Sequence, residues 1–234
     1  MQKVKYEDLG LIGYKKAWDY QSDLHQTLKE RKVEARRNNV ILEAPTHHLI
    51  FCEHPPVYTL GKSGSEDHIL LTAEQLEQQG FEYFKINRGG DITYHGPGQI
   101  VGYPIFDLDF FFTDVHKYVR FLEEAIIRTL KHYDIEGYRI KEYTGVWLPE
   151  KGFIPKRKIC AIGVHLSRWV TLHGFAFNVK PQLNHFNNII PCGINDADKA
   201  VTSLEKELGE TVDIQEVKKL VKSHLAELFE FETV

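Results

Sequence analysis

Cysteine is scarce in this chain: three residues in 234, at positions 52, 160 and 192, with no CxxC spacing and an odd count. A disulfide framework is therefore a poor reading, and a reducing, cytoplasmic compartment is expected. No apolar run approaches the length of a membrane span. The opening Met1-Gln2-Lys3-Val4-Lys5-Tyr6-Glu7-Asp8 lacks the apolar core of a signal peptide, so no membrane association is expected. An excess of basic charge is missing as well. With 29 Lys and Arg against 33 Asp and Glu, the net charge of −4 gives no broad reason to expect nucleic acid. Local clusters at Arg31-Lys32, Arg36-Arg37 and Lys156-Arg157-Lys158 read as solvated faces or as surfaces that meet an acidic protein partner. Repeats, low-complexity tracts and Pro-, Gly- or Ser-rich linkers are absent, and one domain over residues 1–234 is expected.

Several chemistries lack their motifs. The twelve histidines, among them His47, His48, His54, His95, His165, His173 and His185, form no HExxH and no paired Cys/His spacing, which argues against a metal. There is no P-loop, and Arg88-Gly89-Gly90 lacks the strand–GxGxxG–helix context of a dinucleotide site. No GxSxG nucleophile elbow is present. Covalent cysteine chemistry remains.

What is present is an ordinary apolar content of 42% with clear periodicity. Ala17, Tyr20, Leu24 and Leu28 recur at helical spacing and predict a helix over about 14–37. Thr72 caps a short helix that Gly80 closes. Asp114 caps a long one whose Val115, Tyr118, Val119, Leu122, Ile126, Leu130 and Tyr133 share a face. A last helix is predicted over about 214–229. Strands are predicted at 49–52, 83–86, 100–108, 145–148, 159–166 and 170–179, the last two joined through Ser167-Arg168-Trp169. The pattern gives an α+β fold, a mixed sheet with helices packed on it, with a small C-terminal subdomain around the last helix as an alternative.

Three segments carry candidate chemistry. Arg88 to Gln99 follows an apolar run with four glycines, a proline, a cation and a histidine, where glycines allow close approach and loops hold function. Its bland alternative is a long hairpin connection. In Ile189-Ile190-Pro191-Cys192-Gly193-Ile194, proline fixes the approach and glycine leaves the sulfur unobstructed on one side. Cys192 is either a nucleophile or a buried thiol that simply packs; Cys52 and Cys160, inside apolar runs, read as packing. A reactive thiol needs a lowered pKa, and a nearby cation is one way to obtain it. Lys158 is a candidate, or else a solvated gatekeeper at a strand edge.

Together, RGGDITYHGPGQ (88–99), KICAIG with TLHGFAFNV (158–179) and PCGI (191–194) closely resemble the octanoyltransferase family. The likeness extends over nearly the whole chain, including HPPVYTLG (54–61) and VTSL (201–204). It implies a fold similar to the catalytic domain of biotin and lipoate protein ligases. It also implies transfer of octanoyl from the thioester of acyl carrier protein to a lysine of a lipoyl domain, in 2-oxoacid dehydrogenase E2 subunits and the glycine cleavage H protein. No ATP, metal or other cofactor is implied. On the family's motif, Cys192 falls on the nucleophile that forms an acyl-thioester and Lys158 on the lysine that lowers its pKa. Arg88, Gly89, Gly90, Asp91, Ile92, Thr93, Tyr94 and His95 fall on substrate-binding segments, as do Ala161, Ile162, Gly163, Gly174, Phe175 and Ala176.

On this reading the glycines at 89, 90, 163 and 174 let backbone approach the acyl chain and offer N–H groups to its carbonyl. Burying most of an eight-carbon chain is worth roughly 5 kcal/mol, at about 0.8 per methylene, which favours an apolar tunnel with Tyr94 and His95 at its mouth. Cys160 stands where alanine is expected and adds a thiol near the site. The competing readings are an ATP-dependent lipoate or biotin ligase of the same fold, and a non-catalytic binder of lipoyl domains or carrier protein.

Overall fold

The computed structural model describes residues 1–190 and 199–234. In chain order the elements are β1 (Gln2–Leu11), α1 (Tyr14–Arg37), β2 (His47–Glu53), β3 (Val57–Leu60), α2 (Ala73–Gln78), β4 (Glu82–Lys85), β5 (Ile92–His95) and β6 (Gln99–Ile105). Then follow α3 (Val115–His132), β7 (Tyr138–Ile140), β8 (Tyr143–Leu148), β9 (Lys156–Ser167), β10 (Val170–Asn178), β11 (Lys199–Val201), α4 (Leu204–Leu208), α5 (Ile214–Phe229) and β12 (Phe231–Thr233).

Two mixed sheets organise the described residues. The larger runs β12-β1-β2-β6-β10-β9-β8-β7, with β11 pairing β9; the smaller runs β4-β3-β5. β6, β10 and β9 are antiparallel neighbours at its centre, and β6 and β10 are buried throughout. Helices cover both sides. Asp114 accepts from the Lys117 N–H and starts α3, whose Tyr118, Leu122, Ala125, Ile126 and Leu130 bury in one core with Val217, Val221, Leu225 and Phe229 of α5. The last helix thus packs into the same core as the sheet. α1 lays Ala17 and Leu28 on a second core with Ile50, Val101, Tyr103 and Ala176, and Arg36 and Arg37 complement its C-terminal dipole. Thr72 and Gln75 close a capping box on α2.

Two sequence expectations change. The strand predicted over 100–108 ends at Ile105, because buried Asp107 accepts from the Asp109 N–H and from Lys32 and turns Leu108–Phe110 into a single 3-10 turn. The segment 88–99 is not all loop: its Ile-Thr-Tyr-His stretch forms β5 against β3. The β9–β10 connection is a two-residue hairpin in which Arg168 (φ 56°) and Trp169 (φ 65°) both adopt the left-handed region, the twist such turns require.

The sheets meet at β9. β10 and β8 pair β9 on opposite sides, but β8 reaches no further than Cys160. Beyond it, among the described residues, the outer edge of β9 has no strand partner. There the Gly89 N–H donates to the Val164 carbonyl (2.9 Å) and fastens the loop before β5 onto the larger sheet.

Candidate functional site

The sequence between β4 and β5 must turn sharply and lie flat against two backbones, which explains its glycines. Gly61, Lys62 and Ser63, just past β3, donate their N–H groups to the carbonyls of Asp91, Arg88 and Gly90 (3.0–3.2 Å). Gly90 takes φ 83°, a conformation that favours glycine, and a Cβ on Gly61 would collide with its carbonyl oxygen. Asp91 steadies the end of the turn, accepting from the Ile92 N–H (2.6 Å) with His68 Nδ1 2.6 Å from its other oxygen.

This loop, β5, β6, β9 and β10 enclose a cavity of about 310 Å³, within the range of small-ligand sites. Tyr14, Ile92, Val101, Tyr103, Phe175 and Phe186 give it apolar walls. Of the residues singled out in the sequence, it brings together Lys158, Arg88, Gly90, Asp91, Ile92, Thr93, His95, Ala161, Ile162, Gly163, Gly174, Phe175 and Ala176. Cys192 lies outside the described residues.

Two expectations about this segment are corrected. Tyr94 does not line the mouth. Side chains alternate along a strand, so while Thr93 and His95 face the cavity, Tyr94 packs with Tyr58, Phe81 and Phe186, its hydroxyl 2.8 Å from His185 Nδ1. Gly89 does not offer its N–H to a ligand, since Val164 holds it. Gly163 and Gly174 serve backbone contacts: a Cβ on Gly163 would meet the Gly89 carbonyl at 2.8 Å, and one on Gly174 would meet that of Gly102.

Lys158 lies inside β9, flanked by β8 and β11, rather than at a solvated edge. Its Nζ stands 4.7 Å over the Trp147 ring, a cation–π contact that holds a flexible side chain beside an apolar wall. Cys160 is no second thiol of the site. It is fully buried in the main core, its Sγ donates weakly to the Ala161 carbonyl, and burial pushes its pKa up, as it does for Cys52.

Beside the apolar walls runs a polar seam that the sequence reading did not assemble. Arg88 donates through Nε (3.3 Å) and Nη2 (3.0 Å) to Thr59 Oγ1. Thr59 Oγ1 lies 3.3 Å from His95 Nε2, and His95 Nδ1 lies 2.8 Å from Gln99 Oε1. Gln99 Nε2 donates to Asn178 Oδ1 (2.8 Å) and to the Tyr94 carbonyl, which fixes its amide. His95 is therefore the neutral Nδ1–H tautomer, accepting from Thr59 at Nε2. Burial pushes its pKa down to about 3, with Arg88 adding to the effect. His173, which also lines the cavity, is likewise held at about 3 by burial and Arg88, and its Nε2 lies 2.8 Å from Asn87 Oδ1. Behind this seam Tyr14 stacks on His95, and His54 donates from Nδ1 to the Ile12 carbonyl (2.8 Å) and accepts the Tyr103 hydroxyl at Nε2 (2.8 Å). The signal for Thr59, Gln99 and Asn178 was a polar side chain inside an apolar strand run. Buried polar groups require partners, and here they partner one another.

Among the described residues, no group of three His, Cys, Asp or Glu side chains could hold a metal ion, and no helix is long and apolar enough to cross a membrane. The cavity thus joins apolar walls to two cations, Lys158 and Arg88.

Residues 14–226 match the family model described as the lipoyl protein ligase A/B catalytic domain. The chain is 56% identical over 232 residues to an octanoyltransferase of Cytophaga hutchinsonii, covering 98% of this chain and 93% of that protein. It is 55% identical to an octanoyltransferase of Flavobacterium johnsoniae, covering 100% and 99%. Among solved structures, the bipartite lipoate protein ligase of Thermoplasma acidophilum superposes with a TM-score of 0.66 at 15% identity, covering 100% of this chain and 88% of that one. The expected α+β ligase-type fold is the fold observed.

Proposed function

This chain belongs to the octanoyltransferase family, and on that premise we propose that its octanoyl transfer runs through Cys192 as a covalent carrier. It is an acyltransferase of lipoate biosynthesis, and its protein substrates are lipoyl-related. The donor in this reading is octanoyl-acyl carrier protein. Its acceptors are lysines of the lipoyl domains of 2-oxoacid dehydrogenase E2 subunits and of the glycine cleavage H protein, in the cytoplasm.

The chemistry follows in two balanced steps. The Cys192 thiolate attacks the octanoyl thioester carbonyl, and the carrier's sulfur leaves as a thiolate that takes up a proton. The acceptor lysine amine then attacks the acyl-Cys192 carbonyl, forms the amide, gives up a proton and releases the Cys192 thiolate. A thioester is already activated, so no ATP enters. Lys158 favours the thiolate by its charge and passes protons between the steps. Arg88, Gly90 to Thr93 and His95, with residues 161–163 and 174–176, hold the acyl chain.

The observation that carries this reading is Lys158 on the wall of an apolar cavity formed by those same segments. His95, neutral and hydrogen-bonded on both ring nitrogens, reads as a fixed support rather than a proton carrier.

The deciding experiment is the intact mass of the protein after mixing with octanoyl-acyl carrier protein without ATP, followed by peptide mapping. An octanoyl adduct on the Cys192 peptide is expected. No adduct, with transfer appearing when ATP and free octanoate are supplied, would move the protein to an adenylating ligase mechanism.

A further inference from the structure

Five hydrogen bonds that run past the cavity share one direction. Thr59 donates to His95, His95 to Gln99, Gln99 to Asn178, and Asn178 Nδ2 to the Thr202 carbonyl (3.0 Å). The last link leaves the side chains: the Thr202 N–H donates to the Lys158 carbonyl (3.0 Å), one residue past the Val201–Lys158 pair of β11 and β9. Arg88 feeds the first member through Thr59 Oγ1. Thr59, Gln99, Asn178 and Thr202 are all buried.

A buried amide costs free energy unless every group is paired, and an apolar residue of the same shape is often no less stable. Aligned bonds polarise one another, and the positive charge of Arg88 at the donor end strengthens the series. The amides also do what apolar packing cannot: they set the register of β11 against β9, with Asn178 at the end of β10, where β11 takes its place beside β9.

We propose that Gln99 and Asn178 are positioning residues for Lys158, acting through Thr202 and β11 to fix the place of its backbone, and so of its ammonium group, relative to the reacting thiol. The inference rests on the activating role of Lys158 proposed above. Neither amide is required to touch the acyl group or the thiol. Their contribution is to couple the Arg88 loop, which lines the cavity, to the strand that carries the cation.

The test is the pH dependence of Cys192 alkylation in wild type, Asn178→Leu, Lys158→Ala and the double variant, with melting temperatures alongside. Lys158→Ala is expected to displace the profile upward. Asn178→Leu, which removes both bonds at similar volume, is expected to displace it upward by about one pH unit and to lower kcat with little change in KM. In the Lys158→Ala background the same substitution should add nothing, the non-additivity of residues acting through one another. Asn178→Asp keeps the acceptor for Gln99, loses the donor to Thr202 and should displace the profile the same way; it serves if the leucine variant does not fold. A wild-type profile in a folded Asn178 variant, or a displacement that persists without Lys158, overturns the positioning role. An unchanged profile in Lys158→Ala alone overturns the activating role of the lysine and the inference with it.

Discussion

Gly163 on β9 and Gly89 in the loop before β5 face each other so closely that a Cβ on Gly163 would stand 2.8 Å from the Gly89 carbonyl oxygen and 3.1 Å from Arg88 Cδ. The close approach seats the loop, and the loop seats Arg88. In Gly163→Ala the loop must shift. The expected result is a stability loss of about 1–3 kcal/mol and a raised KM for the acyl donor, read by denaturant unfolding and steady-state kinetics. Wild-type values for both would show that the loop gives way freely.

Cys192→Ala is expected to abolish transfer and acyl-enzyme formation, whereas Cys160→Ala should keep both. Cys160 is buried in the main core and its thiol is held protonated by burial, so its loss affects packing alone, at about 1 kcal/mol. Mass spectrometry of each variant with the donor checks this. Full transfer by the Cys192 variant would sink the covalent mechanism.

Val101 lines the cavity opposite Ala176 on the neighbouring strand. Val101→Phe shortens the space for the acyl chain and should shift preference toward hexanoyl or butyryl donors. A relative change in kcat/KM of about 10- to 200-fold is expected, the scale of one methylene in an apolar pocket. Competition between donors of different length measures it, and unchanged preference would place the end of the chain elsewhere.

Acid should weaken the fold earlier than its carboxylates alone require. Burial pushes His47 and His54 down to about 4, and His95 and His173 down to about 3. Between these values and an unfolded pKa near 6.5 the unfolded chain binds more protons. Stability is therefore full above pH 6.5 and falls as the pH drops toward 4, by about 1 kcal/mol per histidine at pH 5.5. Urea midpoints at pH 7.5 and 5.5 check the sign, and equal midpoints would show that these rings charge freely in the fold.

Much of the helical framework was legible from a capping residue or an apolar period, the five-residue α4 excepted. Asp114 with an amphipathic face gave α3, Thr72 gave α2, and α1 and α5 follow their apolar period. β1 was not legible: among its ten residues only Val4 is buried, so no alternation stands out. β7, β11 and β12, three residues each, exist through their partners and carry no pattern of their own. In the site, the glycine loop and Lys158 were visible as motif. That His95 rather than Tyr94 faces the cavity is a matter of one residue in the register of β5 on β3. The seam from Thr59 to Thr202 joins residues that only strand pairing brings together, and no local pattern encodes it.

The outer edge of β9 past Cys160, which has no strand partner among the described residues, carries a consequence beyond catalysis. A row of open backbone groups is a template on which another chain can form a strand. Here the loop that presents Arg88 to the cavity lies on that edge through the Gly89–Val164 bond. The loop that lines the cavity is also the guard of the sheet. A lesion that loosens it bares the edge at the same moment, so loss of activity and a tendency to self-associate arise together, and solubility becomes a property selected through the binding site.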